Sequence, residues 1–273
     1  MSELHTPSAG LARHPVYATD ALLEALRTLG AAVIPGALDE ALCERARTAI
    51  DGLQPEHWDE VHADSQGLGG GRHLDRYLCV FNRDPYWLQF LDRPGVIDLA
   101  EAALGADCHV IGLTAWRSHP GFRGEPLHVD YLPLTWTAGS LPDAMRIPMY
   151  ILTVHFYLCD VTADLAPTRI VPGSHRAGRA PAAGESGWNA TPALPVTVHT
   201  GDALVFRSDV WHAGSDNTTA DRTRYLLQVH YGRREMAAHY SPYLEWRYNP
   251  AVLAAASQRQ RRLLGDFEPG PYD

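Results

Sequence analysis

Apolar residues fall at helical spacing in "DALLEALRTLG" (20–30), which closes on a glycine, a stop signal. "AAVIPG" (31–36) is too short and too β-branched for a helix and reads as a strand, and "LDEALCERARTAIDGL" (38–53) is amphipathic with acidic residues in its first turn. The stretch 54–75, with its "SQGLGGGR", is polar and glycine-rich and reads as a long loop of the kind used as a lid. Helical spacing returns once more in "PGVIDLAEAALG" (94–105).

From residue 107 the pattern changes. "DCHVIGLTAWRS" (107–118), "MYILTVHFYLCDV" (149–161), "TRIVPGSH" (168–175), "LPVTVHTGDALVFRSDVWH" (194–212) and "RYLLQVHYG" (224–232) are rich in β-branched and aromatic residues, each bounded by Pro, Gly, Asp or Asn. The tail "SPYLEWRYNPAVLAAASQRQRRLLGDF" (241–267) is helical again, with "RQRR" (259–262) expected on a solvated face. The pattern predicts a mainly β protein with flanking helices (α+β). Its core is a jelly roll, a cupin-like double-stranded β-helix over about 107–232, buttressed by helices over about 18–105 and 241–267. One domain over 1–273 is expected, since no linker or repeat divides the chain.

Composition narrows the function. The 273 residues carry 45% hydrophobic and 20% charged residues, ordinary for a globular domain, and a net charge of −9, which excludes the concentrated basic face of a nucleic-acid binder. Four widely spaced cysteines give neither a zinc site nor a disulfide framework. With no leader pattern at the N-terminus and no membrane-length apolar window, a cytoplasmic protein is expected, acting on a small molecule and not on a membrane or nucleic acid. The helical tail could cover the sheet or a second copy in a homodimer.

Two H-x-D triplets occur, His73–Asp75 and His128–Asp130. Non-haem Fe(II) oxygenases bind iron through two histidines and one carboxylate, leaving positions open for cosubstrate and O2. His128–Asp130 follows a predicted strand, and His212, at the end of "GDALVFRSDVWHAGSDN", can return from a distant strand as the third ligand. His73–Asp75 lies in or beside the glycine-rich loop, before the β region, and reads as lid or surface. A 2-oxoglutarate-dependent site also needs a cation for the distal carboxylate, and "DRTRYLLQVHYG" offers Arg222 and Arg224. Period-2 alternation places Arg224, Leu226, Gln228 and His230 on one face, which favours Arg224; Arg222 sits in the turn. By the same alternation Thr153, His155 and Tyr157 share a face that could line the pocket. Ser174 and His175 read as turn braces, and 176–189 as a second lid.

These residues resemble the phytanoyl-CoA dioxygenase family of Fe(II)/2-oxoglutarate oxygenases. "LHVD" is similar to its proximal H-x-D, "YLCDVTADLAPTRIVPGSH" to its L-x-D-V-T-x-x-N-G-x-T-x-x-x-P-G-S-H segment, and "GDALVFRSDVWHAGSDN" to its strand to the distal histidine. "DRTRYLLQVHY" resembles its arginine-bearing last strand and "LGAAVIPGALDEALCERAR" its opening strand and helix, so the likeness runs from about 28 to 232. It implies iron ligands His128, Asp130 and His212, which are also the catalytic set. It further implies Arg224 on the distal carboxylate of 2-oxoglutarate, Thr168 beside it, and Arg117 facing the cosubstrate. Tyr131, Trp136 and His73 are substrate candidates, with Trp116 and Trp211 as further aromatic wall. The family's Asn-Gly is Leu165-Ala166 here, so that turn is expected to differ.

The activity implied is oxidation of an unactivated C–H bond of a small organic molecule, such as a secondary metabolite, with hydroxylation the default and succinate and CO2 released. Desaturation, epoxidation and ring rearrangement use the same ligand set. Asp130 argues against a halogenase, because a carboxylate fills the place chloride would take. A cosubstrate-independent dioxygenase and a non-catalytic jelly-roll binding protein are the rivals.

Overall fold

Residues 10–56, 73–136, 141–142, 145–236 and 248–265 are described in this computed structural model. The helices are α1 (Thr19–Thr28), α2 (Glu40–Asp51), α3 (Val96–Leu104), α4 (Pro250–Ala255) and α5 (Gln258–Leu263). The strands are β1 (Ala31–Ile34), β2 (Leu74–Tyr77), β3 (His109–Ser118), β4 (Ile151–Tyr157), β5 (Thr168–Ile170), β6 (Gly187–Trp188), β7 (Thr191–Pro192), β8 (Leu194–Pro195), β9 (Ala203–Arg207), β10 (His212–Gly214) and β11 (Arg224–Gly232).

Six strands form an antiparallel major sheet in the order β1-β9-β4-β11-β3-β2, and β10-β5-β8 form a minor sheet. Alternation along β11 divides its two faces. Leu227, Val229 and Tyr231 pack against helix residues such as Leu22, Leu42 and Leu99. The opposite face of the major sheet meets the minor sheet, where Tyr157, Leu204, Phe206 and Leu226 pack with Ile170, Val196 and Val198. Helices therefore buttress one face of the double-stranded β-helix, and the site occupies the mouth of the other. Asp39 caps α2, its carboxylate accepting from Leu42 N at 2.7 Å, a contact worth about 1 kcal/mol.

Several local expectations change. Leu74–Tyr77, expected within or beside the long loop, form the edge strand β2 paired with β3; residues 57–72 of that loop lie outside the described residues. The "RQRR" segment is not a free solvated face: Arg259 meets Asp98 (3.1 Å) and Glu101 (2.6 Å), and Arg262 also pairs with Glu101, docking α5 on α3. The Leu165-Ala166 turn keeps the conformation that glycine favours, because Ala166 sits at φ 46°. Among the described residues no helix is long and apolar enough to cross a membrane.

Candidate active site

His128 and His212 come from opposite sides of a long crossover and meet in a two-residue antiparallel bridge that extends the minor sheet. The segment before His128 must run against β10 to reach it, and Gly124 allows this: a Cβ there would stand 2.4 Å from the Gly214 carbonyl. Asp130 follows with its N–H donating to Ser208 O at 3.0 Å. The three side chains converge. Their ligand atoms lie within 4.8 Å of one another, with Asp130 Oδ1 at 3.5 Å from His212 Nε2 and 3.9 Å from His128 Nε2.

Both imidazoles are oriented for ligation. His128 Nδ1 lies 3.0 Å from Pro126 O, and His212 Nδ1 lies 3.0 Å from Val210 O. A proton held at Nδ1 by a backbone carbonyl leaves the Nε2 lone pair for a metal. Burial opposes the charge on Asp130, yet the adjacent His212 ring outweighs it and holds the carboxyl well below the usual carboxylate range. Burial pulls His212 the other way, but Asp130 raises it above an ordinary histidine. Asp130 Oδ2 is buried without a hydrogen-bond partner. An acceptor left without a donor in a cleft suits a cation. The residues therefore fit a divalent metal of the two-histidine, one-carboxylate type.

Beside the triad a cavity of about 600 Å³ opens, a size typical of small-molecule sites. Arg224, Leu226, Gln228 and His230 all line it, as the alternation of β11 requires, and His155 and Thr168 join them. Arg224 is buried, with hydrogen bonds to the Ala166 carbonyl and to Ser118 Oγ at 3.1 Å. Among the described residues no carboxylate pairs with it, and its Nε has no partner. Burial lowers its pKa. A guanidinium stays charged in proteins, so a cation held here without a counter-ion is prepared for an anionic ligand. Arg222 instead pairs with Asp164 at the surface, 2.9 Å away.

Arg117 does not reach the cavity. In the β3–β11 register it stands opposite Tyr225 on the helix-side face, while Trp116 stands opposite Leu226 on the cavity face. Its guanidinium is spent on Asp75 (2.8 Å), Asp51 (2.9 Å) and Tyr77 Oη (2.9 Å). The second H-x-D triplet is accounted for by the same network: Asp75 also meets His119 at 2.7 Å, and exposed His73 contacts Pro120 O at 2.6 Å outside the cavity. Of the aromatic candidates, Tyr131 and Trp116 line the cavity, whereas Trp136 lies against Gly178 and Trp211 is buried with Val171 and Ala177. Ser174 braces its turn as expected, accepting from Trp211 N at 2.7 Å, and His175 meets Arg27 O at 3.2 Å.

Leu74, within the stretch 54–75 assigned as loop, and Arg76, just after it, are lining residues that the sequence reading did not single out; Arg76 lies over the Trp116 ring at 4.4 Å. The alternation Leu74, Arg76 against Asp75, Tyr77 was the available signal, but it spans only four residues beside a glycine-rich run. Gln228 accepts from Trp116 Nε1 at 2.9 Å and fixes that ring as a wall.

Residues 26–225 match the phytanoyl-CoA dioxygenase (PhyH) family. A dioxygenase of Aspergillus fumigatus, af480, is 26% identical over 172 residues, 60% of this chain and 48% of that protein, so the chain matches about half that relative's length. Among solved structures, HygX from Streptomyces hygroscopicus with nickel and 2-oxoglutarate bound is similar at TM-score 0.63 and 17% identity, over 80% of this chain and 88% of that one. The epimerase SnoN in complex with Fe3+, alpha-ketoglutarate and nogalamycin RO is similar at TM-score 0.58 and 21% identity, over 80% and 84%. With 200 consecutive positions matched, from 26 to 225, and a His-Asp-His cluster at the mouth of the matching fold, the chain belongs to the phytanoyl-CoA dioxygenase family of non-haem iron, 2-oxoglutarate-dependent oxygenases.

Proposed function

We propose that His128, Asp130 and His212 hold Fe(II), that Arg224 receives the distal carboxylate of 2-oxoglutarate, and that the enzyme oxidises a C–H bond of a small organic molecule. The observation that carries this reading is the His-Asp-His cluster beside a buried arginine that has no carboxylate partner among the described residues. When bound, iron and 2-oxoglutarate supply the oxidising power from O2, with succinate and CO2 as co-products. The chain itself supplies position and dryness. The Nδ1 contacts of both histidines fix their ring planes, and Arg224 sets the distance of its anion from the triad through a strand edge pinned at Ala166 and Ser118.

The rest of the cavity favours a partly apolar substrate. Ile111, Trp116, Ile151 and Tyr131 give it apolar and aromatic surface, while Gln228, Glu125 and His230 offer polar contacts. A cavity of about 600 Å³ suits a molecule of secondary-metabolite size. Hydroxylation is the default outcome. Because one similar fold is that of an epimerase, a rearrangement of the substrate radical is the second reading. A substrate screen reading succinate release, followed by mass analysis of the organic product, tests both. A gain of one oxygen supports hydroxylation, and an isomer formed only when a two-electron reductant is added, as the electron balance with O2 and 2-oxoglutarate then requires, supports the second reading. Uncoupled or absent succinate formation across partly apolar metabolites would contradict the substrate assignment.

A further inference from the structure

Strand β3 breaks its own alternation at Ile111. In the pairing with β11, Gly112 stands opposite His230 and Val110 opposite Tyr231, so Ile111 is one residue more than β11 matches, a β-bulge. Strict alternation from Leu113 and Ala115, which pack in the helix-side core, would send Ile111 to that side and Val110 to the cavity. The reverse is found: Val110 packs in the helix-side core, and Ile111 lines the cavity. A bulge re-aims a side chain in this way, and Gly112 beside it has no side chain to compete for the cavity face. Ile111 meets Met236 over Gly232, where a Cβ would stand 3.0 Å from Ile111 Cγ2 and 3.0 Å from Met236 Cβ. A side chain at 232 would push them apart. Gly232 in turn pairs with Ile151 of β4, which also lines the cavity. His109 Nε2, 2.6 Å from Met236 O, ties the segment carrying Met236 back to β3.

The register also fixes where these three side chains lie. The Phe206 ring is 4.8 Å from that of His212, and Phe206, Thr153, His230 and Gly112 form one row across β9, β4, β11 and β3. Arg224, the first residue of β11, is to one side of that row. Gly232, the last, is to the other, with Ile111, Ile151 and Met236 around it. An anion at Arg224 and a substrate group against Ile111 therefore fall on opposite sides of the metal-ligand row. None of the three side chains offers a hydrogen-bond donor, so a group placed against them is stabilised by leaving water and not by polar contacts. We propose that the bulge makes Ile111 the specificity-determining residue of the substrate cavity: with Ile151 and Met236 it forms a hydrocarbon end wall, and the substrate presents there a hydrocarbon group of limited length. This deepens the function proposed above, on which it rests, by giving the chemistry of one end of the substrate.

The test uses primary alcohols from butanol to decanol, titrated calorimetrically and without O2 into the protein loaded with Fe(II) and 2-oxoglutarate. Affinity should rise about fourfold per added methylene and stop rising at the chain length that meets the wall. In Ile111→Ala the rise should continue for about two further methylenes, into the space the side chain leaves, with the 2-oxoglutarate Kd within about twofold of wild type. At the longest chain that fits the wild type, the α,ω-diol, polar at the wall end, should bind roughly tenfold weaker than the alcohol. The same stopping length in wild type and Ile111→Ala, a rise without a stop, or a diol that binds as well as the alcohol overturns the proposal, as does no binding by any alcohol. Should Ile111→Ala not fold, Met236→Ala decides it on the same series. Cosubstrate binding is read separately, from the weak visible charge-transfer band. A wild type without that band overturns the 2-oxoglutarate reading, while the alcohol series still decides the wall.

Discussion

The backbone N–H of His128 donates to His212 O at 2.9 Å, and His212 N–H donates back to His128 O at 3.0 Å. Two residues 84 positions apart are thus paired through their main chains, and their rings lie 4.3 Å apart, centroid to centroid. The spacing of the two histidines is set by this main-chain pairing.

Arg224 is a buried cation with no carboxylate partner among the described residues, which costs stability. A buried charge without a counter-ion is unfavourable, and replacing it by an apolar side chain of similar length removes that penalty along with two hydrogen bonds. Arg224→Met should therefore leave the unfolding free energy within about 1 kcal/mol of wild type, or raise it, while 2-oxoglutarate binding is lost. Urea unfolding and anaerobic cosubstrate titration check the two halves. A loss of stability above about 3 kcal/mol would mark the arginine as structural.

Arg117 is the converse case. It joins β3 to β2 and α2 through Asp75, Asp51 and Tyr77 and faces away from the cavity. Arg117→Ala should cost about 1–2 kcal/mol for a partly exposed network and leave the 2-oxoglutarate Kd within about twofold. A tenfold loss of cosubstrate affinity at unchanged stability would return Arg117 to the site.

The legible part of the sequence was the part with long periods. β11 runs over Arg224–Gly232, the stretch 224–232 expected, and its alternation placed Arg224, Leu226, Gln228 and His230 on one face. Arg117, implied by the family resemblance alone, misled because its neighbour Trp116 takes the cavity face and a single strand-end residue carries no information on parity. β2 was hidden for a related reason: four residues give too few alternations to outweigh a glycine-rich run. The Arg259 and Arg262 pairs with Glu101 are tertiary contacts that no local pattern encodes.

Ala166 holds a left-handed backbone at φ 46°, where a Cβ is strained, and its carbonyl accepts from Arg224. Relief of that strain, about 1–2 kcal/mol, outweighs the extra backbone freedom glycine gives the unfolded chain. Ala166→Gly should stabilise the protein by about 0.5–1 kcal/mol, read from the urea midpoint at constant slope. A lower midpoint would contradict this account of the turn.

His175 is buried, and burial first, then the nearby Arg207 charge, lowers its pKa to about 4. The folded state therefore binds fewer protons than the unfolded one between about pH 4 and the ordinary histidine value of about 6.5, so stability falls as pH drops through that window. From pH 7 to 5.5 the loss from this group is about 1 kcal/mol. His175→Gln, which keeps a donor near the Arg27 carbonyl but does not titrate, should lose about that much less over the same range. Parallel stability curves for the two proteins would show that His175 does not contribute.

The central claim is that His128, Asp130 and His212 bind iron next to an anion site that takes 2-oxoglutarate. Anaerobic addition of Fe(II) and then 2-oxoglutarate tests it without a substrate. The account predicts a weak visible charge-transfer band that needs both components and is absent in His212→Ala, with the variant's far-ultraviolet circular dichroism unchanged. No band in the wild type, or a band that survives in folded His212→Ala, would contradict it.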